Sequence, residues 1–426
     1  MKFSARLGLL LVLGAAVASP MTGPVLAQGA TSPAPALIQT SDAQREHYLA
    51  TAVIWRPSGI PTPDQIREGP PGRSPLRGVE LNAAGEVPCT YEKGGAGSPG
   101  RTVKFTCRTK AGRSLRMKYY DGNPQTGNRE VFAEVIATRL FWALGFDADA
   151  VYPVIVRCLE CPADPNSGTG PRAERRYLAM VEAFYEGTVI TTNGNPDEGW
   201  RFRELRQAVD SLTGQEHVQQ RVYQDALALL SVFVQHGDRK PSQQRLVCRS
   251  PLDPEAGEIQ TIDNDDGFHL PIFVEHPNAT ACRTSVVTVQ DLGATFGGAG
   301  QFTSNVGSKV HLSSWSGTAM FAQRSVKDSR GGAPPPCRGN LAPSLSSGAE
   351  PNPPIGDAGR RFLHERLAAL TPAHVRALFE AAHVEELKER QQWRDPKTGQ
   401  LLTGIDAWVA VFLKKVDEIG ATSCPA

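Results

Sequence analysis

The sequence predicts an α+β protein of two lobes: a small antiparallel β-lobe with one buried helix, then a larger, mainly helical lobe. Three observations predict it. Five segments with strand-like alternation fall between residues 86 and 187. One stretch among them, Asn128–Gly145, has helical period and is apolar on nearly every face, which marks a helix enclosed by other elements. Beyond residue 187 apolar side chains recur mostly at helical spacing.

The first residues read as a processing signal. Lys2 and Arg6 precede the apolar run "LGLLLVLGAAVA", and "VLA" ending at Ala27 has the small-residue pattern of a cleavage site. Residues 1–27 are therefore expected to be a signal peptide, and the mature chain to be periplasmic or secreted. The run is too short for a comfortable span, so no membrane span is expected after cleavage. Residues 28–78 are rich in Pro and Gly and read as an extension wrapping the domain, with one short helix around Asp42–Val53.

Alternation in "EVPCTYEK", "TVKFTCRT" and "SLRMKYY" predicts three antiparallel strands. A Gly-rich connection (Gly94–Arg101) joins the first two, and "KAGR" turns between the last two. The helix that follows ends on Gly145, a C-cap type of residue. Glu134 lies inside its apolar surface. A buried carboxylate is costly unless paired, and Lys118 at the end of the third strand is the candidate partner. "VYPVIVRC" and "RRYLAMVEAFYEG" complete the five strands.

In the second lobe, Val222, Ala226, Leu229, Leu230 and Phe233 form one helical stripe. "QRLVCR" and "TSVVTVQD" read as a strand pair interrupted by an insertion near 249–283. Thr371-Pro372 suits N-cap and N1 of a helix, and Ile405, Trp408, Val409, Phe412, Leu413, Val416 and Ile419 form a last stripe.

Composition bounds the function. The chain has 426 residues, 40% hydrophobic and 21% charged, which supports a sizeable core. A formal charge of +1 gives no basic footprint, so nucleic acid is not an expected partner; a monomer is expected. Eight cysteines agree with an oxidising compartment. Pairing of neighbours gives Cys89–Cys107, Cys158–Cys161, Cys248–Cys282 and Cys337–Cys424, with other connectivities open. "CLEC" has redox or zinc spacing. Without a second ligand pair or a thioredoxin-like βαβ pattern it reads as a structural disulfide.

One loop resists a purely structural account. The helical stripe ending at Phe233 gives way to "HGDRKPSQ", an acid and two bases between two apolar elements. Taken with the order of the other pieces, this resembles the atypical protein-kinase-like superfamily. "GDRKPSQ" is similar to the "GDRHxxN" catalytic loop of phosphoinositide-type kinases. "AEVIATRLFWALGF" resembles the Glu-bearing helix of secreted, Golgi-type kinases. The resemblance covers roughly residues 85–300 and suggests an exported bacterial branch. "HRD" and "GxGxxG" are absent.

The resemblance implies a two-lobed kinase-like fold, with an N-lobe over 79–187 and a C-lobe over 188–426. It implies ATP or another nucleotide bound with Mg²⁺ or Mn²⁺, and an acceptor of unknown identity. Phosphoryl transfer needs positive charge on the phosphates, an acid for the metal and an acid that orients the accepting hydroxyl. Lys118 would bind phosphates, paired with Glu134 or, one turn earlier, Glu130. Asp238 would act on the hydroxyl, with Arg239 or Lys240 balancing its charge. Gln243 stands where the family has a metal-binding Asn, and Asp291 of "QDLGATFG" would hold the metal, with Asp263 of "TIDNDDGF" as rival. The hinge facing the base would run from Glu182 to Gly187. Gln243 is one methylene longer than Asn, which implies either a slower or single-metal enzyme or a catalytically silent binding module of the cell envelope. Each piece alone also has a plain structural role: Asp238 as a turn brace before Pro241, Asp291-Leu292-Gly293 as a turn, Lys118–Glu134 as a buried pair.

Overall fold

The computed structural model describes residues 37–96, 102–122, 129–263, 269–297, 310–322, 337–341, 351–387 and 391–424. The side chains of 261–263 and 269–270 lie outside that description, as do residues 1–27, where the sequence suggests a signal peptide. The chain enters with strand β1 (Leu37–Gln39), helix α1 (Asp42–Ala50) and helix α2 (Pro63–Glu68). Ser41 with Gln44, and Thr62 with Gln65, form capping boxes that satisfy the first N–H groups of these helices.

Five strands follow around one helix: β2 (Val87–Gly94), β3 (Lys104–Thr109), β4 (Ser114–Tyr120), α3 (Glu130–Leu144), β5 (Ala150–Cys161) and β6 (Ala173–Ala183). They close as a barrel in the order β2-β3-β4-β6-β5, with β2 and β5 parallel and the other neighbours antiparallel. Alternation sends Phe105, Cys107, Leu115, Met117, Tyr119 and Val156 into the barrel. The opposite face, with Tyr120, Leu178 and Met180, packs with α3 in the main core. Helix α3 is buried along almost its whole length. It ends at Gly145, whose φ of 91° is left-handed; a Cβ there would lie 2.4 Å from the Arg56 carbonyl oxygen.

The rest of the chain contains β7 (Thr188–Thr191), α4 (Phe202–Asp210), α5 (Gly214–Phe233), β8 (Gln244–Cys248), β9 (Gly257–Asp263), β10 (His269–Glu275) and β11 (Ser285–Val289). Helices α6 (Leu312–Gly317), α7 (Asp357–Ala368), α8 (Pro372–Ala381) and α9 (Gly404–Ala421) follow. The predicted pairing of "QRLVCR" with "TSVVTVQD" is the antiparallel β8–β11 ladder. Helices supply most of the regular structure beyond residue 187, and strands join them. A six-stranded sheet, β11-β8-β7-β1-β10-β9, takes five of its strands from there, and the insertion between β8 and β11 carries the antiparallel pair β9–β10. Pro271 inside β10 hides the strand pattern, and β7 has only four residues.

The stretch read as an extension supplies β1, which pairs in parallel with both β7 and β10 at the middle of that sheet. Pro35–Ala426 constitute one compact unit. Four disulfides join Cys89–Cys107, Cys158–Cys161, Cys248–Cys282 and Cys337–Cys424. Cys158 and Cys161 are both fully buried, which suits a staple rather than a reactive redox pair. No helix among the described residues is long and apolar enough to cross a membrane.

Candidate functional site

Lys118 owes its direction to strand period. Met117 and Tyr119 fill the barrel, so Lys118 between them faces α3. There Glu134, fully buried, presents both carboxylate oxygens to Lys118 Nζ at 3.0 and 2.9 Å. Glu182 of β6 adds an oxygen at 2.6 Å and Asp291 one at 3.6 Å. Burial opposes the charge on Lys118, yet Glu134, Asp291 and Glu182 together hold its ammonium well above the ordinary lysine range. Burial pushes the Glu134 carboxyl up, Lys118 pulls it down, and Glu182 and Asp291 push it up further. Glu182 moves the other way: burial is outweighed by Lys118 and by a hydrogen bond with Glu134. Three carboxylates thus converge on one ammonium.

The acidic loop arrives from the other side. Helix α5 ends near Val234, Gln235 adopts a left-handed φ of 55°, and Gly237 donates to the Ala294 carbonyl at 2.9 Å. Phe296 donates back to the Val234 carbonyl at 2.6 Å, so the "HGDRK" and "DLGATF" loops are stitched together. A 3₁₀ turn over Pro241–Gln243 carries Gln243 back to Asp238. Its Nε2 donates to Asp238 at 3.1 Å and also to Asp291. Lys240 Nζ lies 3.2 Å from Asp238. Asp291 holds a left-handed φ of 49°, a strained conformation of the kind that collects at functional sites. Gly293 packs on α3: a Cβ would sit 2.9 Å from Glu130 Cβ and 3.3 Å from Glu134 Oε2.

Lys118, Glu134 and Asp291 thus meet directly, and Asp238 joins them through Gln243. Of the two candidate acids on α3, Glu134 pairs with Lys118, while Glu130 accepts from Thr102. Glu182 joins by its side chain, as a third carboxylate on Lys118, rather than from the segment that would face a base. Gly187, with φ 110°, lies against the Cys248 carbonyl of β8 and not at the cluster. Asp263 closes β9, and its side chain is outside the described residues. Arg239 is buried beside His236. Burial, then Arg239, lowers His236 to about 4, so its ring is neutral near pH 7.

Two neighbours escaped sequence reasoning. Asp149, buried just after α3, accepts from Gln290 at 3.2 Å; burial and then Glu182 push it up to about 7. Lys104 stands opposite Lys118 across the β3–β4 ladder. Strand period was the available signal for Lys104, and also for Glu182, two residues past the core residue Met180. None marked Asp149.

The donor set suits a hard divalent cation. Gln243 Oε1 is buried without a hydrogen-bond partner, on the same amide whose other end touches both Asp238 and Asp291. Exchanging the two ends of that amide would offer two carboxylates and an amide oxygen, ligands that Mg²⁺ and Mn²⁺ prefer. Among the described residues no group of three or more His, Cys, Asp or Glu is placed to hold a metal. Phosphate oxygens and water would have to complete the shell, as is usual for Mg²⁺.

No family model matches the chain, and no curated protein matches it. Among solved structures, the crystal structure of a Helicobacter pylori proinflammatory kinase, CtkA, is similar with a TM-score of 0.33 and 9% identity. The match covers 81% of this chain and 93% of that one. So loose a superposition carries no weight by itself, and the functional reading stands on the residues above.

Proposed function

We propose that the chain is an exported, atypical kinase-like protein whose crevice binds a nucleotide with Mg²⁺ or Mn²⁺. It would transfer a phosphoryl group to a hydroxyl acceptor. One observation carries the proposal: Lys118, Glu134, Asp291, Gln243 and Asp238, far apart in sequence, form one connected cluster of hydrogen bonds and ion pairs. Glu134 orients the Lys118 ammonium toward a phosphate. Asp291, with the Gln243 amide turned to present its oxygen, would hold the cation, which would supply positive charge to the phosphates. Asp238 accepts the proton of the hydroxyl as its oxygen bonds to phosphorus and the bond to the leaving diphosphate breaks. Four disulfides support export.

A second reading, nucleotide binding without transfer, draws on Gln243. Its amide nitrogen, not its oxygen, touches both acids. Thermal unfolding with ATP and Mn²⁺ tests the shared core of both readings. Ligand at a hundredfold above Kd should add about 2.7 kcal/mol of stability, and Asp291→Ala should abolish the gain. An unchanged melting temperature for the wild type would reject nucleotide binding. A shift without phosphate release or transfer would favour the silent form.

A further inference from the structure

Register places Lys104 of β3 directly opposite Lys118 of β4. Opposed residues of antiparallel strands have Cβ atoms about 4.5–5.5 Å apart, so like charges there repel. Both lysines project from the outer face, because Phe105, Met117 and Tyr119 occupy the barrel interior. Lys104 is only 7% exposed. Burial, followed by Arg116 and Lys118, draws its ammonium below the ordinary lysine range, against the pull of Glu182 and Asp291. Two cations therefore stand side by side on one face of the sheet, a pair that a polyanion could bridge.

The glycine-rich connection adds a second observation. A Cβ on Gly95 would fall 2.1 Å from Lys104 Cγ, and one on Gly94 would fall 2.2 Å from the Asn166 carbonyl oxygen. Asn166 Oδ1 in turn accepts from the Lys104 backbone N–H at 3.1 Å. Glycine at both positions lets the backbone lie along the Lys104 stem, and the stem is confined between that backbone and the strand.

We propose that Lys104 is a second phosphate-binding cation, forming with Lys118 a two-lysine clamp for the polyphosphate tail of a nucleotide. This rests on the nucleotide-binding reading above. It assigns to side-chain charge the work that a G-x-G-x-x-G loop does with backbone N–H groups. Without ligand, Glu182 and Asp291 supply the countercharge that phosphates would bring.

Isothermal titration of the full chain with ATP, inorganic tripolyphosphate and adenosine, each with Mg²⁺, tests it. Lys104→Met keeps the apolar stem and removes the charge. It should weaken ATP and tripolyphosphate alike by about tenfold or more, the size of one charge-assisted hydrogen bond. Adenosine binding should be unchanged, and Lys104→Arg should retain most of the affinity. The ligand-free melting temperature of Lys104→Met is measured alongside, so that a loss of fold is told apart from a loss of charge. If that variant does not fold, Lys104→Gln is measured in its place. Wild-type affinity for tripolyphosphate in the uncharged variant would overturn the clamp while leaving nucleotide binding intact. An equal loss for adenosine would make Lys104 a packing residue and also overturn it. A wild-type chain that binds neither ATP nor tripolyphosphate overturns the underlying reading instead.

Discussion

At the scale of single residues, the site is a contest between burial and charge. Asp149 shows it most simply. Its carboxyl titrates at about 7 in the fold, against about 3.9 in an unfolded chain. Between those values the folded form keeps a proton that the unfolded form has released. Stability should therefore fall as pH rises from about 4 to about 7, at up to about 1.4 kcal/mol per pH unit. Asp149→Asn, which still accepts from Gln290, should flatten that slope in urea midpoints measured across the same range. A slope unchanged in the variant would assign the proton to another group. The Lys118–Glu134 contact was legible in the sequence, because an acid inside an all-apolar helix has few ways to exist. The link through Gln243 was not. Residue type suggested a metal ligand, but nothing in the letters says which end of an amide faces two acids.

At the scale of elements, α3 is the organiser. It carries Glu134, backs the outer face of β4 and β6, and meets Gly293 of the acidic loop. Its stop at Gly145 sets where the chain turns toward Asp149. Gly145→Ala would force a left-handed φ on alanine and drive a methyl into the Arg56 carbonyl. A loss of roughly 1–3 kcal/mol is expected in urea denaturation; a neutral result would show that Arg56 yields easily. The strands β2 to β6 were readable because each runs long enough to show alternation. Elements β1, β7 and β10 were not. The first two are too short to display a period, and the third carries proline. Lys104 was passed over for a related reason: register, which sets it against Lys118, belongs to a pair of strands and not to either one.

At the scale of the whole molecule, the N-terminal stretch belongs to the fold. Leu37 and Ile38 are buried, and β1 bridges β7 to β10. A chain starting at residue 35 should melt where the full chain does. One starting at residue 52 should lose protease resistance, since two strands would then face each other with no partner between them. Survival of that shorter form would make β1 an ornament. Composition gave no hint of this, because Pro- and Gly-rich flanks disguised a buried strand as a leader.

The central position of β1 has a kinetic consequence. Its residues leave the ribosome well before those of its partners at Thr188–Thr191 and His269–Glu275. Until they emerge the longer sheet has a gap at its centre, and contacts this distant along the chain form slowly. Such a delay holds the polypeptide open, the condition that the proposed export would require.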